Sequence, residues 1–300
     1  MNAAGSAGAG PAHIDHLTHD DLMLLARLAE PGGTEAQAQA GAARLRADAV
    51  LLEEALASPE AAALLLDPPP PDDAEAERLL RASPFLAFAV AVESIAVELK
   101  DATHVREWVG PKMRVPVLGG DDLRELLADR SRRVFLAELL ASYTRVSSGT
   151  VWRETSRGWR KQRFSELDPM RMASLLDSVP EARRPAVHRR LGDLCLFLAG
   201  VFPDHTSARA FRPIDLHRLG RAAAMGGAEE LGEELETRGA VGLLDHLGAR
   251  WYLLAASAQA PGGSVLEAIA SRFVESRRAL NLLADRHLFP ARPGWFPLLP

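Results

Sequence analysis

The sequence predicts an all-α protein, an irregular multi-helix bundle with one short embedded β-hairpin over about residues 150–164. Three observations predict this fold. Most of the chain divides into stretches of helical apolar spacing that are bounded by capping residues, proline or glycine. The composition, 47% hydrophobic and 25% charged, is that of an ordinary globular chain. Strand-forming residues alternate in one place, after Gly149.

Capping residues and prolines set the predicted limits of the helices. Thr18 begins the first helix, and Pro31 with the glycines after it ends that helix. Ser58 and Ser83 each precede a proline, which is favoured in the first helical turn. Another helix begins at Asp168. The other predicted helices, with those just named given in full, cover residues 18–30, 34–56, 58–67, 72–81, 83–101, 121–128, 131–145, 185–202, 215–224, 228–237, 240–259 and 264–287.

Three segments are predicted to be non-helical from their residue types. Residues 110–120 are rich in Gly, Pro and Val and are predicted to be a loop or a short extended piece. Residues 156–158 suit the turn of the predicted hairpin. The tail, 290–300, is rich in proline and is predicted to wrap over an apolar surface.

Proline and glycine content also predicts the domain organisation. Residues 1–17 form a flexible leader, and 18–71 form an N-terminal helical appendage. The appendage ends in a spacer of four consecutive prolines, which cannot continue a helix. Residues 72–300 form the main helical domain.

Several features predict a cytoplasmic protein that does not contact membrane. The leader lacks the basic and apolar segments of a signal peptide. No apolar run approaches the roughly 18 residues that span a bilayer. Cys195 is the single cysteine, which excludes an internal disulfide. The excess of Arg over Lys and the many alanines suggest a GC-rich bacterial genome.

Charge is unevenly distributed along the chain. The net charge of −5 argues against a surface built wholly for nucleic acid. Residues 47–77 contain no Lys or Arg, whereas 143–163 hold six bases against one acid. The chain therefore has an acidic zone and a basic zone that could attract each other, within one chain or between two copies.

The predicted hairpin is the candidate anion-binding or partner-binding site. Its bases are interleaved with aromatic residues, a mixture that binds phosphates by charge and bases by stacking. The order helix, helix, hairpin resembles the second half of a winged-helix DNA-binding domain, but helix 131–145 is too apolar to read a major groove. We favour a hairpin that lies over acidic helices of the same chain or of a partner protomer, with its tryptophans in a core. Its candidate binding residues are Arg153, Arg157, Arg160, Lys161, Arg163 and Trp159.

Helix 185–202 is apolar around its whole circumference, which predicts the central buried helix. Gly192 and Gly200 would let neighbouring helices approach closely. Asp193 would then be buried, and a buried carboxylate must be paired or lose its charge. Arg189 and Arg190, one turn earlier, are the predicted partners.

The same helix carries the string L-G-D-x-x-L-F-x-x-G-x-F-x-D. The string resembles one found in helical bacterial proteins of no assigned function, and the similarity extends over about residues 136–252. The resemblance implies a shared fold and no particular activity. The matching residues are Leu191, Gly192, Asp193, Leu196, Phe197, Gly200, Phe202 and Asp204.

The sequence contains no complete metal-binding or cofactor-binding motif. Glu98, Asp101 and His104 could supply half of a metal site, but no Glu-x-x-His completes a di-iron pattern. His13 and its neighbours are expected to be exposed. Phosphate-binding, dinucleotide-binding and serine-hydrolase motifs are absent. We expect neither metal nor cofactor, and no catalytic residue is assigned.

The leading hypothesis is a non-catalytic cytoplasmic module that contacts a protein partner, or a second copy of itself, through the basic hairpin. One alternative is nucleic-acid binding through the same hairpin. The other is a helical enzyme with an interior pocket near Asp193 and His205. The sequence leans away from an enzyme without deciding the question.

Overall fold

The structure is a computed structural model, and it describes the chain in seven stretches. Contacts divide the chain into two compact units, each drawn from segments distant in sequence. The first comprises residues 1–103, 120–144 and 285–295; the second comprises 104–119, 145–284 and 296–300. The described residues are 12–67, 82–146, 148–155, 158–225, 228–258, 264–290 and 296, with side chains described outside 147–164.

The first unit is entirely helical in its described part and begins with a 3₁₀ turn at His13–Asp15. Helix α5 is apolar on most of its surface, and it packs against α7 and α4. The helices are α1 (His19–Ala29), α2 (Glu35–Ala47), α3 (Ala49–Leu56), α4 (Pro59–Leu66), α5 (Pro84–Asp101), α6 (Asp121–Ala128) and α7 (Arg130–Ser142).

Capping explains where several of these helices begin. The Thr18 hydroxyl accepts from the Asp21 amide, and the Asp21 carboxylate accepts from the Thr18 amide at 2.8 Å. The Asp21 carboxylate also accepts from the Ser83 amide at 2.8 Å, which ties the start of α5 to the start of α1. Ser83 in turn caps α5 through the Leu86 amide.

The second unit combines helices with two separate two-stranded sheets. Its 3₁₀ turns are Ser174–Asp177 and Glu181–Arg183. A π-helical turn, Ala284–Leu288, follows its last helix in the chain and belongs to the first unit from Asp285 onward. The strands and helices are β1 (His104–Gly110), β2 (Met113–Leu118), β3 (Ser148–Thr155), β4 (Gly158–Ser165), α8 (Pro169–Ala173), α9 (Arg184–Val201), α10 (Pro203–Ser207), α11 (Pro213–Ala222), α12 (Ala228–Ala256), α13 (Val265–Ser271) and α14 (Phe273–Leu283).

Helix α9 is the core of the second unit, as its composition predicts. All eleven residues from Leu191 to Val201 are buried, and the helix packs against α12 and α14. A Cβ atom on Gly192 would lie 2.5 Å from the Tyr252 ring, and one on Gly200 would lie 2.7 Å from the Leu280 Cβ. The predicted close approaches at both glycines are therefore confirmed.

The all-α fold with an embedded hairpin is confirmed, and the structure adds a hairpin that the sequence did not predict. Strands β1 and β2 pair antiparallel over His104–Leu118, whereas the sequence predicted a helix ending at about residue 101 and a loop or short extended piece over 110–120. Pro116 obscured β2, because proline within a run argues against a strand. It is tolerated here because β2 pairs with β1 alone among the described strands.

Two predicted helices are broken in the structure. The helix predicted over 34–56 stops at Asp48, whose backbone is extended and whose carboxylate caps α3. The helix predicted over 264–287 is interrupted at Arg272. Conversely, the helices predicted on either side of residue 239 run together as α12, with a non-helical residue at Gly239 (φ 67°).

The compact units have different limits from the predicted domains. Helices α1 to α4 share a unit with α5, α6 and α7. The predicted proline spacer and the predicted helix 72–81 lie outside the described residues, so an appendage ending at residue 71 stays a prediction. Residues 1–11 of the predicted leader also lie outside them.

Candidate functional site

The basic hairpin predicted from the sequence exists as strands β3 and β4. Its register places Arg153 opposite Arg160, Trp152 opposite Lys161 and Glu154 opposite Trp159. Eight residues per strand give a ribbon of about 26 Å. Arg163 lies opposite Thr150 near the base of the ribbon, and Arg157 lies outside the described residues.

The hairpin makes a two-stranded sheet of its own. Neither β3 nor β4 pairs with any other described strand. Strand β4 lies against the short helix α8, which follows it in the chain. An isolated two-stranded hairpin is only marginally stable in water, and both of its edges carry backbone groups that can pair with another chain.

The predicted burial of Asp193 is confirmed, and a phenol contacts it. The Tyr252 hydroxyl, from α12, donates to the Asp193 carboxylate at 2.9 Å. Asp193 is 8% exposed. Arg190 forms an ion pair with Glu166 at 3.3 Å, and Arg189 is half-buried; the pairing of either arginine with Asp193 stays a prediction. The Tyr252 contact could not be predicted, because 59 residues separate the two side chains.

Asp204, the last residue of the motif, holds the first hairpin. Its carboxylate accepts from Trp108 Nε1 at 2.7 Å and from the Lys112 amide at 2.9 Å, and it forms an ion pair with Arg114 at 3.2 Å. Burial opposes ionisation, but these donors outweigh it and lower the pKa of Asp204. Lys112 sits at the turn with φ 56°, so Asp204 stabilises a backbone conformation that is unusual for lysine.

The C-terminal end of α9 is capped by a buried network that the sequence did not indicate. Asn281 donates through Nδ2 to the carbonyls of Ala199 at 3.1 Å and Gly200 at 2.6 Å. Arg277 donates to the Asn281 side chain at 3.1 Å and to both oxygens of Asp245 at 3.0 Å. Burial raises the pKa of Asp245, and Arg277 opposes that rise.

The motif therefore has a structural role at each end. Phe197 and Phe202 stack edge to face at 5.5 Å, and Phe296 from the tail contacts Phe197 at 5.0 Å. The predicted packing of the tail on an apolar surface holds for Phe296; the rest of 291–300 lies outside the described residues. These contacts, with those of Gly192 and Asp204, explain the motif by packing and hydrogen bonding.

A cavity of about 630 Å³ lies in the second unit between α8, the 3₁₀ turn Ser174–Asp177, α9 and α11. Among its described lining residues, apolar side chains lie beside three arginines, one histidine and one aspartate. Neither Asp193 nor His205 lines it. The side chains that surround it are those of Met170, Ala173, Ser174, Leu176, Asp177, Arg184, His188, Arg218, Arg221, Ala222 and Ala224.

In the first unit, a buried cluster of charge surrounds Arg133. Arg133 donates to Glu93 at 2.6 Å and to Glu53 at 2.9 Å, and Arg130 also pairs with Glu53. His13 Nε2 lies 3.3 Å from Glu93. His13 is 2% exposed, so the expectation that it is exposed is wrong. It is buried because the 3₁₀ turn at the start of the chain packs against α5 through Phe85.

Two pKa shifts follow from this burial. Burial, the largest cause, acts with the charges of Arg133, Arg130 and His16 to lower the pKa of His13 to about 4. Burial also raises the pKa of Glu93, although Arg133 opposes the rise. The cluster is a structural ion network of the first unit.

The other sequence candidates are separate from each other. His205 is exposed on α10. Glu98 forms ion pairs with Arg286 at 3.1 Å and His287 at 3.5 Å. Cys195 is fully buried, which raises its thiol pKa well above 9. In the described part of the chain, no three His, Cys, Asp or Glu side chains converge as metal ligands.

The winged-helix arrangement is not supported by the packing. Helix α7, which would have to read the DNA groove, buries Val134, Phe135, Leu136 and Leu140.

No protein-family model, curated protein or solved structure matches the chain. Across the described residues, no helix has the length and hydropathy to cross a membrane. The resemblance to motif-bearing helical proteins of no assigned function stays a prediction.

Proposed function

We propose that the chain is a cytoplasmic binding protein that docks an acidic protein surface through the β3–β4 hairpin. The observation that carries the proposal is the hairpin itself. Its two eight-residue strands pair with no third strand in the described chain, and five bases lie within residues 153–163. A ribbon of this kind gains stability from a partner.

The register adds a reason for that partner to be acidic. Arg153 and Arg160 occupy directly opposite positions, and like charges at such positions repel. Lys161, one residue further on, adds a third positive charge. Carboxylates from a partner would offset this repulsion and form charge-assisted hydrogen bonds with the guanidinium groups.

A second copy of the chain offers a matching surface in its first unit. Residues 47–77 contain no base. Asp48 caps α3, and Glu53 pairs with Arg130 and Arg133, so both are engaged internally. Glu54 and Glu60 are exposed. Beside Glu54, the side chains of Val50 and Leu51 are 61% and 37% exposed. This acidic and apolar surface complements a basic and aromatic ribbon, so self-association is the form of docking we expect.

Light scattering across a salt series tests the proposal. At low ionic strength the mass should approach twice that of the monomer. It should fall as salt shortens the screening length from about 10 Å at 0.1 M to about 3 Å at 1 M. The double variant Arg160→Glu with Lys161→Glu should be monomeric at all salt concentrations.

A matched control separates the hairpin from net charge. Arg44→Glu with Arg46→Glu makes the same change in charge on exposed residues of α2. This control should associate as the wild-type protein does. A wild-type protein that is monomeric at every salt concentration, with no co-purifying acidic protein, contradicts the proposal.

The interleaving of Trp152, Trp159 and Phe164 with bases supports a second candidate, which is binding of single-stranded nucleic acid. This candidate predicts that Arg160→Ala with Lys161→Ala weakens binding and reduces its salt dependence. A gel-shift experiment at low salt with mixed DNA and RNA provides the test. Absence of any shift removes this candidate and leaves the protein partner.

A further inference from the structure

We propose that the cavity between α8, α9 and α11 binds a small-molecule anion with an apolar body, such as an aryl or alkyl phosphate or carboxylate. The cavity has a volume of about 630 Å³. This lies within the range of about 300–1,000 Å³ that is typical of small-molecule sites. All of its described lining residues belong to the second unit.

The charge of the cavity wall selects an anion. Arg184, Arg218 and Arg221 line it, and Asp177 is the one acid among the described lining residues. Asp177 lies 3.9 Å from Arg221, so this one pair is partly neutralised. The Arg184 backbone amide donates to the Glu181 carbonyl, and the charge of Arg218 lowers the pKa of Asp215, but neither guanidinium group makes a hydrogen bond or ion pair within the described part of the chain. Two guanidinium groups are therefore available to a ligand, and guanidinium binds carboxylate and phosphate in a bidentate manner.

The beginning of α9 adds positive potential at the same place. Its first turn contains no acidic residue, and no side chain caps it. Arg184 is the first residue of this helix, where the macrodipole is already positive. A base at a helix N-terminus is unfavourable, whereas an anion there is stabilised by both the dipole and the guanidinium.

The other lining residues indicate the chemistry of the ligand's uncharged part. Met170, Ala173, Leu176 and Ala222 supply apolar surface beside the bases. His188 is half-buried, and burial followed by the charge of Arg184 lowers its pKa, so the ring is largely neutral at pH 7. A hydrogen bond to the Ala222 backbone orients this ring. A planar, uncharged ring beside apolar side chains suits an aromatic or aliphatic group.

Calorimetric titration of the full-length chain with three probes tests the proposal. Phenyl phosphate carries both the anion and the apolar body, inorganic phosphate carries the anion alone, and phenol carries the body alone. We expect phenyl phosphate to bind with a Kd of about 1 mM or tighter. The other two probes should each bind at least roughly tenfold more weakly.

Variants locate the binding. Arg184→Ala and Arg218→Ala should each weaken phenyl phosphate binding by about ten- to a hundredfold, as loss of a charged hydrogen bond does. Arg238→Ala removes the same charge from an exposed position on α12 that does not line the cavity, and it should bind as the wild-type protein does. Circular dichroism confirms that each variant is folded.

The proposal does not depend on the role of the hairpin. Arg160→Ala with Lys161→Ala should leave the affinity for phenyl phosphate unchanged. Equal affinity for phenyl phosphate in Arg218→Ala and Arg238→Ala would overturn the proposal. Absence of phenyl phosphate binding to the wild-type protein would overturn it as well.

Discussion

At the scale of single residues, Asp204 connects the motif on α9 to the β1–β2 hairpin. One carboxylate accepts from an indole, a backbone amide and a guanidinium that come from three positions of the hairpin. The sequence marked Asp204 only as part of a motif. Its role depends on contacts across about ninety residues, which no local pattern encodes.

Asp204→Ala should free the turn of the β1–β2 hairpin. Because three hydrogen bonds to a charged acceptor are lost at a partly exposed site, we expect a loss of about 2 kcal/mol in the free energy of unfolding. Chemical denaturation measures this loss. The chain has three lysines, at 100, 112 and 161. A lysine-specific protease should therefore cleave after Lys112 faster in the variant, with an unchanged rate after Lys161.

Glu236→Ala, on the exposed surface of α12, is the control for Asp204→Ala. It removes a carboxylate of the same unit and should alter neither stability nor cleavage after Lys112. Cleavage at equal rates in Asp204→Ala and the wild-type protein would show that the carboxylate does not hold the turn.

His13 should make the first unit less stable in mild acid. Its pKa falls from 6.5 in the unfolded chain to about 4 in the folded protein, so the unfolded chain binds more protons between these values. The stabilisation is complete above pH 6.5 and is lost as the pH falls toward 4. Between pH 7 and pH 5 we expect the loss to be about 1 to 2 kcal/mol, measured by urea denaturation.

His13→Gln should reduce that pH dependence, because glutamine does not titrate. Glu93, with its raised pKa, contributes in the opposite sense, so the difference between variant and wild type isolates His13. His19→Gln, at the exposed start of α1, should retain the full pH dependence. If His13→Gln and the wild-type protein lose stability in parallel, His13 is not buried in its neutral form.

At the scale of elements, close helix packing around α9 is the feature that the sequence predicted best. Gly192 and Gly200 interrupt an apolar helix at positions where neighbouring side chains come within contact distance. The hairpin β3–β4 was predictable because its strands alternate. The hairpin β1–β2 was not, since Pro116 lies within one strand and the turn is held by Asp204 rather than by local turn residues.

Gly192→Ala should destabilise the protein, because its Cβ would lie 2.5 Å from the ring of Tyr252, the residue that contacts Asp193. We expect a loss of about 1 to 3 kcal/mol in the free energy of unfolding. Gly232→Ala is the matched control, because no atom lies within 4 Å of its added Cβ. The control should stabilise the protein by about 0.5 to 1 kcal/mol through helix propensity.

Thermal denaturation of both glycine variants supplies the comparison. A midpoint for Gly192→Ala equal to or above that of Gly232→Ala would contradict the close approach of α9 and α12.

At the scale of the whole molecule, charge is segregated between sequence zones that belong to different compact units. The base-free zone, 47–77, lies in the first unit and the basic hairpin lies in the second. This segregation could be read from the sequence. The internal engagement of Asp48 and Glu53 could not, since it depends on helix ends and on packing between helices distant in sequence.

A charge-exchange experiment tests docking between copies most directly. One variant carries Arg160→Glu and Lys161→Glu, and the other carries Glu54→Lys and Glu60→Lys. Each alone should be less associated than the wild-type protein at low salt, because one side of the interface repels the other. Their equimolar mixture should recover the mass of a dimer by light scattering, since the new lysines face the new glutamates. A mixture that stays monomeric while the wild-type protein dimerises would contradict docking of the hairpin on residues 47–77.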